Sequence, residues 1–231
     1  MQRFIGLVAL AASVGPLQTN AQTPAARTVE LSGRIVILEK DNKPSVDLGD
    51  AVLYLEGSGL TVAVARPVNV EIAITDKTYA PHVLVVPAGS AVRFPNHDPF
   101  NHNVFSLSEP NQFDLGLYGR GEAKSQTFAN PGLVRVYCNV HPRMVAYVQV
   151  MGNRYYAQPG ADGSFTMANV PPGQYRLHVW HERIPAEVVT DVTAGSRDAL
   201  QITLDARGYR WEPHRNKYGK TYPTNAGRER Y

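Results

Sequence analysis

Cysteine is almost missing from this chain: Cys138 is the only one in 231 residues. A single thiol cannot close an internal disulfide, so it is free, paired between molecules, or a ligand. Long apolar runs are scarce too. The longest, residues 4–14, is too short for a permanent transmembrane helix. Capped segments with a 3.6-residue apolar period are absent, and 19 Gly with 17 Pro favour turns over long helices. Neither charge sign dominates. The 23 Lys and Arg against 20 Asp and Glu leave +3, too little to argue for nucleic acid. Disulfide scaffolds, helical bundles, membrane-spanning proteins and nucleic-acid binders are all disfavoured. What is present is an ordinary globular balance, 43% hydrophobic and 19% charged, in a length that suits one large or two small domains.

The N-terminus carries Arg3, then the short apolar run, then small and polar residues up to Ala21. This pattern predicts a signal peptide over residues 1–21, with a mature chain starting near Gln22. Export to the periplasm or beyond is the expectation, with no transmembrane segment in the mature chain.

Everything after it reads as β. Short alternating runs are bounded by turn residues: "VELSGRIVILEK" and "DAVLYLEG", "HVLVVPAGSAVRFPN", "LVRVYCN" and "VAYVQVM", "SFTMANV" and "YRLHVWH". Regularly spaced strands of this kind predict sandwiches or Greek-key barrels.

The lone cysteine lies between two such strands, in "YCNVHPRM". Residues three apart on a straight strand face opposite ways. Cys138, His141 and Met144 therefore meet only if the loop turns tightly, with Pro142 restricting its backbone. A thiolate, an imidazole and a thioether are soft or borderline ligands. With one more histidine they make a His₂Cys site with a weak axial Met, which suits copper; zinc has little use for the thioether. "VRFPNHDPFNHNVFSLS" offers that histidine. His102 opens the strand-like "HNVFS", while His97 lies in the turn-like "NHDP", and a strand end holds a ligand more rigidly. A buried inert thiol, or a nucleophile beside its base, are the other readings of a Cys–His pair. No oxyanion site or orienting carboxylate is evident for the second. His82, His178, His181 and His214 read as structural or solvated.

"FPNHDPFNHNVF" followed by "YCNVHPRM" resembles the cupredoxins, the blue type 1 copper family that includes plastocyanin, pseudoazurin and amicyanin. The short C-x₂-H-x₂-M loop is most similar to that of amicyanin, and the likeness covers residues 62–152. It implies a Greek-key cupredoxin sandwich, one copper cycling between Cu(I) and Cu(II), and His102, Cys138, His141 and Met144 as its ligands. It also implies that Asn103 braces the ligand loop, and that the loop histidine exposes its ring edge while His102 stays buried. Pro99, Phe100, Pro142 and Met144 are then expected to form an apolar landing patch with Arg143 at its rim. Ala146 departs from the Gly often found there. The wider chain is similar to methylamine-utilization-like cupredoxins.

Residues 33–57 and 162–181 resemble the two halves of a carboxypeptidase-regulatory or transthyretin-like sandwich. The expectation is an all-β chain in which a cupredoxin domain, residues 62–152, is inserted into or joined to a small Ig/transthyretin-like sandwich of residues 28–60 and 153–205. The tail, residues 206–231, carries seven Lys and Arg against Glu212 and Glu229. It is read as docking an acidic partner or an anionic surface, or as wrapping its own domains. Four protein ligands leave no open position for a substrate, so the expected role is a one-electron carrier between redox proteins, not an enzyme. Copper holding or delivery is the alternative, and a metal-free envelope binding module the third.

Overall fold

The computed structural model describes residues 27–60, 65–196 and 198–222; the expected signal peptide lies outside the described residues. Strands β1 (Val29–Leu38) and β2 (Val52–Glu56) come first. They are followed by β3 (Asn69–Glu71), β4 (Ala73–Thr75), β5 (Thr78–Ala80), β6 (Val83–Pro87), β7 (Ser90–Pro95) and β8 (His102–Ser106). Next come β9 (Phe113–Tyr118), β10 (Ala123–Phe128), β11 (Gly132–Cys138) and β12 (Val145–Met151). The chain closes with β13 (Tyr156–Ala157), β14 (Ser164–Val170), β15 (Gly173–Trp180), β16 (Val188–Ala194) and β17 (Leu200–Asp205). The fold is all-β, as the alternating pattern predicts, and no described helix is long and apolar enough to cross a membrane.

The strands between residues 69 and 151 build one sandwich. Its large sheet runs β6-β12-β11-β8-β9, its small one β10-β7-β3, and β4-β5 form a hairpin beside them. Alternation along β11 sends Val134, Val136 and Cys138 inward while Arg135 faces out. They join Val92, Phe94, Val104, Phe128 and Val148 in one buried core, where each large apolar side chain contributes about 1.5–3 kcal/mol.

The remaining strands build a second sandwich, from sheets β14-β1-β17 and β13-β2-β15-β16. Strand β1 pairs antiparallel with β14 and parallel with β17, and β2 lies between β13 and β15. Segments before and after the first sandwich thus share hydrogen-bonded sheets, and Leu31, Ile35, Leu53 and Leu55 share a core with Phe165, Leu177, Val179 and Leu204. Between the sandwiches His82 meets Glu182 at 2.8 Å and the Tyr147 ring lies 5.1 Å from that of Trp180.

Candidate metal centre

Strand register brings the first two candidate ligands together. β11 and β8 are antiparallel, with Tyr137 opposite Phe105 and Cys138 opposite Val104. His102 is two residues before Val104 and so on the same face of the sheet as Cys138. Every residue of β8 is buried, which makes His102 a rigid donor at a strand entry. The loop after Cys138 then turns tightly. The Met144 N–H donates to the His141 carbonyl at 3.1 Å, and the Cys138 N–H to the Met144 carbonyl at 3.4 Å. This closure folds His141 back over the strand end. Met144 is buried, its backbone held at both neighbours.

Three donor atoms converge. Cys138 Sγ lies 3.7 Å from His102 Nδ1 and 3.6 Å from His141 Nδ1, and the two Nδ1 atoms are 3.1 Å apart. All three residues are buried. A metal bonded at about 2.0–2.3 Å in a trigonal plane would separate its donors by roughly 3.5–3.8 Å, and by a little less where one angle narrows. The triangle fits that requirement.

The protonation chemistry suits a ligand set. Burial, helped by the proximity of His102, holds the His141 imidazole down at about 4. Burial also outweighs the Asp98 bond and keeps His102 below the usual histidine range. Both rings are thus neutral and carry a lone pair at physiological pH. Burial pushes the Cys138 thiol up, opposed by the backbone N–H groups of Asn103, Val140 and His141. That thiol stays protonated until a cation displaces the proton, and the N–H groups then face the thiolate.

Asp98 escaped the sequence reading. Its carboxylate, buried in the turn before β8, lies 2.8 Å from His102 Nε2 and accepts the N–H groups of Asp76 at 2.7 Å and Lys77 at 2.9 Å. A carboxylate only accepts, so Nε2 of His102 carries the proton and Nδ1 is bare. The signal was there in the Asp98–His102 spacing across "HDPFNH", but a turn of unknown shape does not reveal it.

One expectation needs correction. His141 does not expose its ring edge: it is only 4% accessible, and Met144 is 1% accessible. The Phe100 ring packs 5.8 Å from that of His141 and 5.3 Å from that of His102. Pro99 and Arg143 remain exposed, while Phe100 and Pro142 are half-buried. The tail, moreover, runs along the ligand loop. The Tyr222 hydroxyl donates to the Cys138 carbonyl at 3.0 Å, the Lys217 N–H to Asn139 Oδ1 at 3.0 Å, and Trp211 lies under the Arg143 guanidinium. His214 stacks on Tyr137 at 4.3 Å. Asn103 reaches Cys138 through its backbone N–H, while its side-chain amide donates to Asp114 at 2.7 Å, and Asp114 in turn pairs with Lys217 at 2.6 Å.

His82, His97, His178 and His181 lie apart from this triangle. His97 is exposed in its turn. His82 meets Glu182, His178 lies between Glu187 and Glu56 and stacks on Tyr54, and His181 approaches the Asp47 carbonyl. Among the described residues, His102, Cys138 and His141 are the one cluster of three such ligand types.

Two family profiles match parts of the chain. Residues 66–151 match the family profile of copper-binding proteins of the plastocyanin/azurin family. Residues 138–200 match domain II of polysaccharide lyase family 4, a fibronectin-III-like module. No curated protein matches the chain. Solved structures do. A purple cupredoxin from Nitrosopumilus maritimus is 26% identical, with 35% of this chain and 98% of that one covered and a TM-score of 0.32. A reduced amicyanin variant is 26% identical over 36% of this chain and 81% of that one, with a TM-score of 0.33. A copper-containing nitrite reductase from Thermus scotoductus is 23% identical over 51% of this chain and 28% of the enzyme, with a TM-score of 0.34. In its family match and in its buried His-Cys-His triangle, the segment 66–151 is similar to the copper-binding proteins of the plastocyanin/azurin family, and the all-β chain carries a second sandwich beside it.

Proposed function

We propose that the protein is an exported type 1 copper protein that carries single electrons between redox partners. The convergence of His102 Nδ1, Cys138 Sγ and His141 Nδ1 is the observation that supports it. In this reading those three atoms would hold one copper, and the Met144 thioether would supply a fourth, weaker donor. Copper supplies a one-electron Cu(I)/Cu(II) couple when bound. The chain supplies rigidity. Two ligands sit at the ends of sheet strands, and the third is held by a hydrogen-bonded loop, so the donor triangle changes little between oxidation states. Burial keeps water from the thiolate. Four protein ligands leave no position for a substrate, which favours a carrier over an enzyme. The domain division that accompanies this reading inserts residues 62–152 into the sandwich of residues 28–60 and 153–205.

A second reading, copper holding or delivery, draws on one observation: the loop histidine is buried. Rapid transfer to a partner favours an exposed ligand edge, whereas storage does not.

The test is a Cu(II) titration followed by visible and electron-spin-resonance spectra. The expected result is one copper per chain and an intense thiolate-to-copper absorption that Cys138→Ser abolishes and His102→Ala abolishes or distorts. A protein that binds copper with no such band, or a His102→Ala variant with the wild-type spectrum, overturns the assignment. Reversible oxidation and reduction with retained metal supports the carrier; copper passing to an apo-acceptor supports holding.

A further inference from the structure

We propose that Asp98 is a positioning residue of the copper site, whose buried carboxylate fixes the His102 tautomer and lowers the reduction potential. The inference rests on the copper reading above and goes beyond it, because Asp98 touches no metal.

Asp98 is 4% accessible, and its carboxylate lies 2.8 Å from Nε2 of a fully buried His102. It is not held there by the histidine alone. The N–H groups of Asp76 and Lys77, at the tip of the β4–β5 hairpin, bond its two oxygens, and its own N–H donates to Asn96 Oδ1 at 2.9 Å. Asn96 is buried in turn and donates to the carbonyls of Phe100 and Tyr118. Both oxygens are thus fixed by backbone donors from another element. Two backbone N–H donors, one on each oxygen, favour the ionised carboxylate, which can only accept from the Nε2–H.

Two consequences follow for the ring. The Nε2–H is locked toward Asp98, so Nδ1 faces Cys138 and His141 as a lone pair, with no tautomer search when metal arrives. The negative charge also lies one imidazole away from the donor triangle. It makes Nδ1 a stronger donor and favours the more highly charged metal state. A carbonyl or amide in the same place would fix the tautomer without adding the charge.

Asp98→Asn separates the two effects, since it keeps an oxygen acceptor and removes the charge. Loss of an outer-shell partner typically weakens metal binding by about 10–100-fold. Borne mainly by Cu(II), a 10–100-fold fall in the Cu(II)/Cu(I) affinity ratio corresponds to a rise of about 60–120 mV at 59 mV per tenfold for one electron. Asp98→Glu, which keeps the charge, should return the potential toward the wild-type value. Because Asp98 also caps the hairpin, a measurement on the wild-type protein stands beside the variants. In the Cu(I) form, the ¹⁵N-coupled Nε2–H of His102 should appear as a slowly exchanging proton resonance. A wild-type potential in a copper-loaded Asp98→Asn protein overturns the proposal, as does a His102 ring with no protected Nε2–H. A wild-type protein with no blue-copper spectrum instead overturns the copper reading, and this proposal with it.

Discussion

Cys138 ends the inward series of β11, and Met144 begins the return of the chain into β12. In the proposed site they act on copper in different ways, one as a strong thiolate donor and the other as a weak axial thioether. Met144→Leu keeps the burial and most of the volume but removes the sulfur. It should retain copper and raise the reduction potential, because the axial sulfur supports Cu(II) more than Cu(I). Voltammetry that finds the wild-type potential, together with an unshifted spectrum, removes Met144 from the ligand set. Phe100 belongs to the same scale. Its ring contacts both histidine rings, so it is part of the wall of the site as well as of its surface. Phe100→Glu should therefore alter the copper spectrum besides slowing electron self-exchange. A spectrum identical to wild type would show that the ring does not constrain the histidines.

At the scale of elements, the ligand loop is short and closed by its own backbone, and the described tail lies along it. Tyr222 anchors the tail there, with its hydroxyl on the carbonyl of the cysteine itself. Tyr222→Phe leaves that carbonyl without the bond and should lower the stability of the copper-loaded protein by about 1 kcal/mol, with the visible band retained. Urea unfolding followed at that band measures it; an unchanged midpoint would mean that the tail does not brace the loop. The Lys217–Asp114 pair is partly exposed and contributes less, about 0–1 kcal/mol, falling with salt. Of the two readings of the tail, an outward dock or an arm wrapped over its own domains, the contacts of Trp211, His214, Lys217 and Tyr222 follow the second.

Over the whole molecule, two cores are joined through a polar seam. Burial is the largest influence on each group, but the bond and charge of Glu182 with the charge of Asp50 together leave His82 raised from 6.5, and the bond and charge of His82 with Tyr147 and His181 together leave Glu182 lowered from 4.5. The raised histidine contributes stability that is full below 6.5 and lost as pH rises through its folded-state value. The lowered carboxylate contributes above 4.5 and is lost as pH falls through its own. The pair is strongest between these limits. His82→Gln should cost about 1 kcal/mol near pH 5.5 and markedly less near pH 9, read as a difference in denaturation midpoints. A cost independent of pH would show that the seam is held by packing, such as Tyr147 on Trp180, and not by this pair.

Strand positions were legible because period-two alternation is local: the burial of Val134, Val136 and Cys138 follows from the order of residues in β11 alone. So was the chemistry of the loop, since a thiol, an imidazole and a thioether at three-residue spacing limit the metal whatever the fold around them. The pairing of β1 with β14 and β17 was suggested only through resemblance, because nothing local says which distant strands share a sheet. Asp98 on His102 left only a four-residue spacing in the sequence, and Asn103 on Asp114 and the burial of His141 left no signal. Each depends on the path of a turn or of the tail, where no periodicity operates and a few degrees of backbone rotation decide which polar groups meet. The sequence by itself determined an all-β chain with a copper-type donor set; tertiary structure alone decided which carboxylate backs the histidine and how deeply the loop lies, because those contacts join residues with no local reason to be neighbours.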